Sequence, residues 1–141
     1  MNNLEFIISQ NDDTLYNSVV KYFNYFKPRL NNESINYIFV QQAFYPDALI
    51  FTNKRLLVCI QKNLGGIIEI QLEIPLIEIL KYSVNEGILT DDIIFLIGNT
   101  NVHHTLSNYP KKTAIYIGNQ LERITKINQP IWDRLLKEND Y

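Results

Sequence analysis

Two short stretches of the chain have the residue types and spacing of a serine acylase. Ser18 and Lys21 lie three positions apart in SVVK, and a Lys-Thr pair follows at Lys112. In such enzymes the lysine helps to activate the serine, and further Ser-Asn partners complete the site. Those partners are missing, and 141 residues are too few for that fold. We therefore predict no catalytic residue in this chain.

Two adjacent histidines are the candidates for a metal site. If His103 and His104 lie in a strand, their side chains point to opposite faces and do not readily share one ion. No second cysteine or spaced set of carboxylates accompanies them. The NLGG segment at 63–66 lacks the Gly-Lys-Ser that completes a phosphate-binding loop. We predict a turn there, no metal and no cofactor.

Paired aspartates occur at 12–13 and at 91–92. The first pair precedes a helical pattern and the second lies between two strand-like runs. We interpret them as a helix cap and a turn rather than an acid/base couple. With no catalytic set left, we expect a protein that is not an enzyme.

The composition limits the class of protein further. A net charge of −2 gives no overall attraction to nucleic acid or to anionic membranes. The single cysteine, Cys59, lies in the apolar run LLVCI, as a small buried hydrophobe would in a reducing compartment. No signal peptide pattern or membrane-length apolar segment is present. We expect a single cytoplasmic domain over residues 1–141 that binds no nucleic acid.

Helical spacing marks both ends of the chain. Near the start, apolar side chains recur every three or four residues at Leu15, Val19, Tyr22 or Phe23, and Phe26, and predict a helix over about 13–27. Near the end, Ala114, Ile117, Leu121 and Ile124 form one stripe and predict a helix over about 110–127. Pro130 should stop it, and a short terminal helix should follow over about 130–137.

Between the helices the period changes to that of strands. In IIEIQLEI, four apolar residues alternate with polar ones, and we expect Ile68, Ile70, Leu72 and Ile74 to face inward together. Similar strand-like runs occur at 35–44, 48–52, 55–61, 76–82 and 92–98, and turn-forming residues separate them. This pattern predicts an antiparallel sheet over about 35–106, followed by the C-terminal helix.

The segment TNKR, residues 52–55, joins two of these runs. A chain reversal explains its polar character, and Asn53 tolerates the positive φ that tight turns often need. Lys54 and Arg55 should therefore lie at a hairpin tip.

The stretch ALIFTNKRLLVCIQK, followed by GGIIEIQLEIPLIEILKYSV, resembles the bacterial pleckstrin-homology-like domains of the YokE-like and related groups. Their pattern is an apolar strand, a Thr-Asp/Asn-Lys-Arg turn, a second strand and an Ile-Pro segment before the next strand. The resemblance covers about residues 14–126. It implies a mainly β protein with flanking helices, whose bent seven-stranded antiparallel sheet forms a partly open barrel capped by the C-terminal helix.

The same resemblance leaves two binding functions open, because this fold hosts both lipid and protein binders. Eukaryotic lipid-binding relatives carry Lys and Arg in the loop between the first two strands, whereas QQAFYPDA here contains no cation. We therefore favour protein interaction or self-association over binding to a membrane surface. The candidate interaction residues are Tyr22, Tyr25, Lys54 and Arg55, the tyrosines because YFNYF spreads aromatic side chains widely around its helix.

Overall fold

A computed structural model describes residues 3–44, 46–62, 66–98 and 103–138 of the chain. Within them, three helices flank seven strands. In chain order the elements are α1 (Asn3–Ser9), α2 (Tyr16–Phe26), β1 (Ile35–Val40), β2 (Ala48–Thr52), β3 (Arg55–Lys62), β4 (Ile67–Pro75), β5 (Ile79–Glu86), β6 (Thr90–Ile97), β7 (His103–Pro110) and α3 (Lys111–Glu138). Short 3-10 turns at Asp13–Leu15 and Leu76–Glu78 precede α2 and β5.

The strands form two antiparallel sheets. The first has the order β1-β2-β3-β4 and the second the order β5-β6-β7. Every neighbouring pair is antiparallel, and the two sheets do not close into a complete barrel. This confirms the predicted fold class: a mainly β protein with a seven-stranded antiparallel, partly open barrel, an N-terminal helix and a capping C-terminal helix.

The first sheet is buried on both faces, so two hydrophobic cores form. The inner core lies between the two sheets and α3, and its largest members include Phe39, Phe51, Phe95 and Tyr109. The outer core lies between the other face of the first sheet and the helices α1 and α2. Strands covered on both faces read as continuous apolar runs, which explains ALIFT and LLVCI.

The stripe on α3 is buried as predicted. Ala114, Ile117, Leu121 and Ile124 are each at most 4% exposed and belong to the inner core. Burying a large aliphatic side chain contributes roughly 1.5 to 3 kcal/mol. The helix is therefore an integral wall of the inner core.

Helix α2 also follows its predicted pattern, with Val19, Tyr22, Phe23 and Phe26 buried. The Asp12 carboxylate accepts a hydrogen bond of 3.0 Å from the Thr14 backbone N–H and so caps the 3-10 turn that precedes α2, rather than α2 itself. Helix α1 was not predicted, because its seven residues contain only one fully buried side chain and no extended stripe.

Strand β4 departs from the predicted alternation. Val58 pairs with Leu72 while its neighbour Cys59 pairs with Ile70, so Gln71 is an extra residue in a β-bulge. The bulge moves the preceding residues to the opposite face: Ile74 lies in the inner core and Ile68 in the outer core. The prediction that all four apolar residues face inward together is wrong, and Ile70 is 38% exposed.

The hairpin at residues 52–55 has the predicted place but a different construction. The Thr52 hydroxyl oxygen accepts hydrogen bonds from the backbone N–H groups of Lys54 and Arg55, at 3.1 and 3.0 Å. Positive φ occurs at Asn32 and Asn108 and not at Asn53. The expectation for Asn53 is therefore wrong, because the Thr52 side chain shapes the turn.

The two predicted C-terminal helices are one helix. Pro130 lies inside α3 rather than at its end. The Asn128 side-chain amide donates to Ile79 O at 2.9 Å, and the Trp132 indole N–H donates to Ile77 O at 2.6 Å. These bonds hold the helix on both sides of the proline. The first three residues of the predicted NLGG turn lie outside the described residues, and Gly66 has a φ of 68°.

Candidate functional site

Arg55, one of the predicted interaction residues, is held by two carboxylates at the β2–β3 hairpin. Its Nε lies 3.1 Å from Glu33 Oε2, and its Nη1 lies 3.1 Å from Glu73 Oε1. A guanidinium shared by two carboxylates is neutralised locally and has few donors left for a phosphate. Lys54 is exposed beside it. The hairpin tip thus offers one exposed cation rather than a basic patch.

The Glu33 carboxyl is the more buried member of this network, with a side chain that is 12% exposed. Burial alone would raise its pKa. Hydrogen bonds involving Thr52 and Arg55, together with the positive charges of Arg55 and Lys54, outweigh burial and lower the pKa below its ordinary value. Glu33 is therefore a structural anion that fixes Arg55, beside an open groove of about 550 Å³.

The two tyrosines of α2 have different places. Tyr22 is completely buried, and its hydroxyl donates a hydrogen bond of 2.8 Å to Pro46 O. Tyr25 is half-buried: its hydroxyl donates to Ile68 O at 3.4 Å, and the Arg29 guanidinium lies 3.9 Å from its ring centroid. Tyr22 therefore belongs to the outer core, and no exposed surface can include it.

The predicted residues also do not form one surface. Tyr25 contacts β4 at Ile68, whereas Arg55 pairs with Pro75 at the other end of that strand. Seven residues of extended chain separate those ends by about 23 Å. The sequence could not reveal this separation, because it depends on how β4 lies across α2.

The β1–β2 connection is closed by polar contacts of its own. The backbone N–H of Gln41 donates to Asp47 O at 3.1 Å, and Gln41 Oε1 accepts from the Asp47 N–H at 3.0 Å. The Asp47 carboxylate accepts from the Gln61 N–H at 3.4 Å, and burial raises the pKa of Asp47. The charged group in this connection is acidic, which is opposite to what a phosphorylated headgroup needs.

The histidines show no shared metal geometry. His103 is exposed, and the His104 ring stacks on Phe95 with centroids 5.4 Å apart. Across the described ranges, no group of three or more His, Cys, Asp or Glu side chains could hold a metal ion. In the same part of the chain, no helix is long and apolar enough to span a bilayer.

A different surface lies where α3 runs lengthwise beside β5. At one end Lys111 Nζ is 2.7 Å from Asp91 Oδ1, next to Glu86 at the end of β5. In the middle the Tyr82 hydroxyl bonds to Glu122, and at the other end Asn128 bonds to Ile79 O. Helix and strand therefore form two parallel walls along most of the length of β5.

The outer edge of β5 pairs with no strand among the described residues. Near the hairpin end, the Gly87 N–H donates to Thr90 O at 3.1 Å. In an antiparallel ladder this bond places the next residue, Glu86, in a pair that exchanges no hydrogen bonds with β6. Bonded and non-bonded pairs alternate along the ladder, so Val84 and Tyr82 also belong to non-bonded pairs. These three residues therefore turn their backbone N–H and C=O groups away from β6 and towards the open edge.

An open groove of about 470 Å³ lies between this edge and α3. Its walls are Leu80, Lys81 and Tyr82 from β5 and Thr125, Lys126, Gln129 and Pro130 from α3. The β5 wall thus includes Tyr82, whose backbone groups are directed towards the open edge, and the α3 wall is formed by residues with polar and apolar side chains. The sequence did not predict this groove, because its two walls are more than 40 residues apart in the chain. The sequence indicated a strand and a helix here, but not that the two are neighbours.

Comparison with solved structures supports the same architecture. The pleckstrin homology domain from Shewanella amazonensis SB2B superposes with a TM-score of 0.59 at 17% identity, covering 75% of this chain and 86% of that one. A DUF1696 family protein with a pleckstrin-homology domain from Shewanella loihica PV-4 gives a TM-score of 0.52 at 16% identity, covering 75% and 92%. At such identities the likeness concerns the fold alone.

Comparison with curated proteins gives no match. The sequence profile described as bacterial PH domain matches residues 30–122, which include all of the first sheet and the second sheet together with the first part of α3. That match spans more than half of the chain. The chain therefore belongs to the bacterial PH domain family.

Proposed function

We propose that this bacterial PH domain is a non-enzymatic module for protein–protein interaction, and that it binds an extended segment of its partner along the outer edge of β5. The single observation that carries the proposal is the unpaired edge of β5 beside the α3 groove. An added strand gains main-chain hydrogen bonds from the edge, while the adjacent groove selects side chains.

The edge has suitable length and chemistry for this role. Tyr82, Val84 and Glu86 present alternate backbone donors and acceptors over about 14 Å of strand. Lys81 and Glu86 place charges in this strand. Charged residues disfavour indiscriminate pairing of open edges, so such an edge favours a matched partner over any available strand.

Binding to a membrane surface is the alternative, and the charge distribution gives it less support. Arg55 is paired with Glu33 and Glu73, and the described part of the β1–β2 connection has no cation. An anionic headgroup would meet the single free charge of Lys54 at the hairpin tip. One exposed lysine contributes about 1 kcal/mol near an anionic leaflet, which is too little for stable attachment.

The test begins with peptides selected from a random-peptide display library against the full chain. Binding of a selected peptide is then measured for wild type, Val84→Pro and the matched control Val84→Ala. Proline removes the outward N–H of Val84, whereas alanine keeps it and removes more of the side chain. We expect Val84→Pro to weaken binding about tenfold, the effect of one lost hydrogen bond, and Val84→Ala to weaken it less.

Equal affinities for wild type and Val84→Pro would place the peptide elsewhere and contradict the proposal. Circular dichroism of each variant shows whether the sheet is intact. Proline is tolerated where a backbone N–H points away from the sheet, so we expect a folded protein.

A further inference from the structure

Strand β1 has an edge unlike the others. Four strands lie at sheet edges, and three of them carry charged residues or proline: Glu69, Glu73 and Pro75 in β4, Lys81 and Glu86 in β5, and Pro110 in β7. The sequence of β1, INYIFV, contains no charged residue, proline or glycine. Six-residue segments of this composition are the ones that pair with copies of themselves when their edge is free.

Along Ile35–Val40 that edge is covered by the N-terminal segment, and just beyond the strand the Gln42 N–H donates to Asn108 O of β7. The Asn11 side-chain amide donates to Ile38 O at 2.7 Å, and its Oδ1 accepts from the Val40 N–H at 3.1 Å. Eight residues earlier, Asn3 Nδ2 donates to Ile35 O at 2.6 Å. The Asn11 amide thus bonds to one acceptor and one donor on the same edge of β1, as the peptide group of a neighbouring strand would.

The backbone groups of β1 to which Asn11 bonds are those that point away from β2, towards the open edge of the sheet. The Gln41 N–H donates to Asp47 O, which closes the β1–β2 ladder. By alternation along the ladder, Val40 and Ile38 then point their backbone groups outward. Asn11 therefore satisfies the donor and the acceptor that an incoming strand would need, and it is itself only 1% exposed.

The cover itself is small. Helix α1 has seven residues, fewer than a helix needs to be stable by itself in water. Ile7 is its one fully buried side chain, and Phe6 is 41% exposed while its ring contacts Tyr37 at a centroid distance of 5.7 Å. The segment is therefore held in place by its contacts with the rest of the domain rather than by its own helical stability.

We propose that the outer edge of β1 is a concealed self-pairing surface, that its partner is β1 of a second copy of this chain, and that the segment Asn3–Asn11 controls access to it. While Asn11 bonds to β1, the edge is blocked. When the segment is displaced, two identical edges pair antiparallel about a two-fold axis and join two four-stranded sheets into one. This surface is distinct from the β5 groove.

The principal variant is Asn11→Leu in the full chain, which keeps the branching at Cγ and removes the amide donor and acceptor. Size-exclusion chromatography with light scattering gives the mass over a range of protein concentrations. We expect the mass of the variant to reach twice that of wild type as concentration rises. A folded variant with the wild-type mass at every concentration would overturn the proposal.

A second substitution identifies the edge involved. Asn36 is partly exposed in β1, and Asn36→Lys places a charge in that strand. The double variant with Asn11→Leu should return to the wild-type mass, whereas adding Val84→Pro at β5 should leave the pairing unchanged. Pairing that persists with Asn36→Lys would also overturn the proposal.

If circular dichroism shows that Asn11→Leu does not fold, the same mass measurement is made on Phe6→Ala instead. Phe6 is 41% exposed and lies outside both hydrophobic cores, so its loss weakens the contact of α1 with Tyr37 without opening a core. We expect a smaller, concentration-dependent rise in mass that Asn36→Lys reverses. A wild-type mass for Phe6→Ala at every concentration would then contradict the proposal.

Discussion

The Tyr82 hydroxyl donates a hydrogen bond of 2.7 Å to Glu122 Oε2 and so joins β5 to α3. That bond, with the neighbouring Lys126, lowers the pKa of Glu122. The same bond raises the pKa of Tyr82, because the hydroxyl must keep its proton to donate. The pair links strand and helix at one end of the groove, whose walls are formed by residues 80–82 and 125–130.

Replacing Leu121 with alanine should strongly destabilise the domain. Leu121 is 1% exposed in the inner core, and such a truncation costs about 2 to 5 kcal/mol through lost burial and a residual cavity. Urea unfolding followed by circular dichroism measures the change. Asn119→Ala, at an exposed position on the same helix, is the control and should cost little. Equal midpoints for both variants would mean that α3 is not part of the core.

Asn108 should tolerate glycine better than alanine. Its φ is 66°, and its backbone joins the two sheets: the Gln42 N–H donates to Asn108 O at 2.7 Å. A Cβ in the left-handed region without a local polar side chain costs about 1 to 2 kcal/mol. We therefore expect Asn108→Ala to lower the free energy of unfolding by about that amount and Asn108→Gly by less. The reverse order in thermal unfolding would contradict the idea that the left-handed φ penalises a Cβ at this position.

Acid should remove the stabilisation that Glu33 provides. Because its pKa in the folded protein lies below the ordinary value, the unfolded chain binds more protons as the solution is acidified. The contribution of Glu33 is thus complete near neutral pH and is lost as pH falls through the folded-state pKa.

The measurement compares wild type with Glu33→Gln. Their difference in free energy of unfolding should shrink from about pH 6 to about pH 3. Glu5→Gln makes the same charge change at an exposed position of α1 and serves as the control. A wild-type advantage over Glu33→Gln that grows on acidification would contradict the assigned sign.

Vesicles containing anionic phospholipid should retain little of this protein at physiological salt. The chain has a net charge of −2, and Arg55 is already paired with two carboxylates. Cosedimentation measures retention, with Lys54→Glu as the charge-reversal variant. Strong, salt-sensitive retention of wild type that Lys54→Glu abolishes would instead favour the membrane-binding alternative.

The parts of the fold that the sequence predicted depend on local periodicity. The stripe through Ile117 and Leu121 has helical spacing wherever the helix docks, and ALIFT is a strand in any sheet. The bulge at Gln71 left no local signal, because the alternation in IIEIQLEI continues through it. Pro130 misled for the reverse reason: a strong local signal was overridden by bonds from Asn128 and Trp132 to distant backbone.

The candidate surfaces were less predictable, because they depend on which elements become neighbours. Aromatic density in YFNYF indicated an interaction surface, yet Tyr22 bonds to Pro46 O inside the outer core. Lys54 and Arg55 were placed correctly at a hairpin tip, but the Glu33 and Glu73 partners of Arg55 lie 22 and 18 positions away in the chain. Only the folded arrangement shows that the charge of Arg55 is already balanced.

The lengthwise attachment of α3 to β5 also determines how the domain would respond to mechanical load. The contacts of α3 with this side of the sheet follow one another along the helix. Trp132 bonds to the 3-10 turn before β5, Asn128 and Glu122 bond to β5, and Lys111 pairs with Asp91 in β6. A force that peels the C-terminal end of α3 away from the sheet would load these bonds one at a time rather than together. Bonds that are loaded one after another break at a lower force than bonds that carry the load together. Tension on the C-terminal end of α3 would therefore open the inner core first near Ile79.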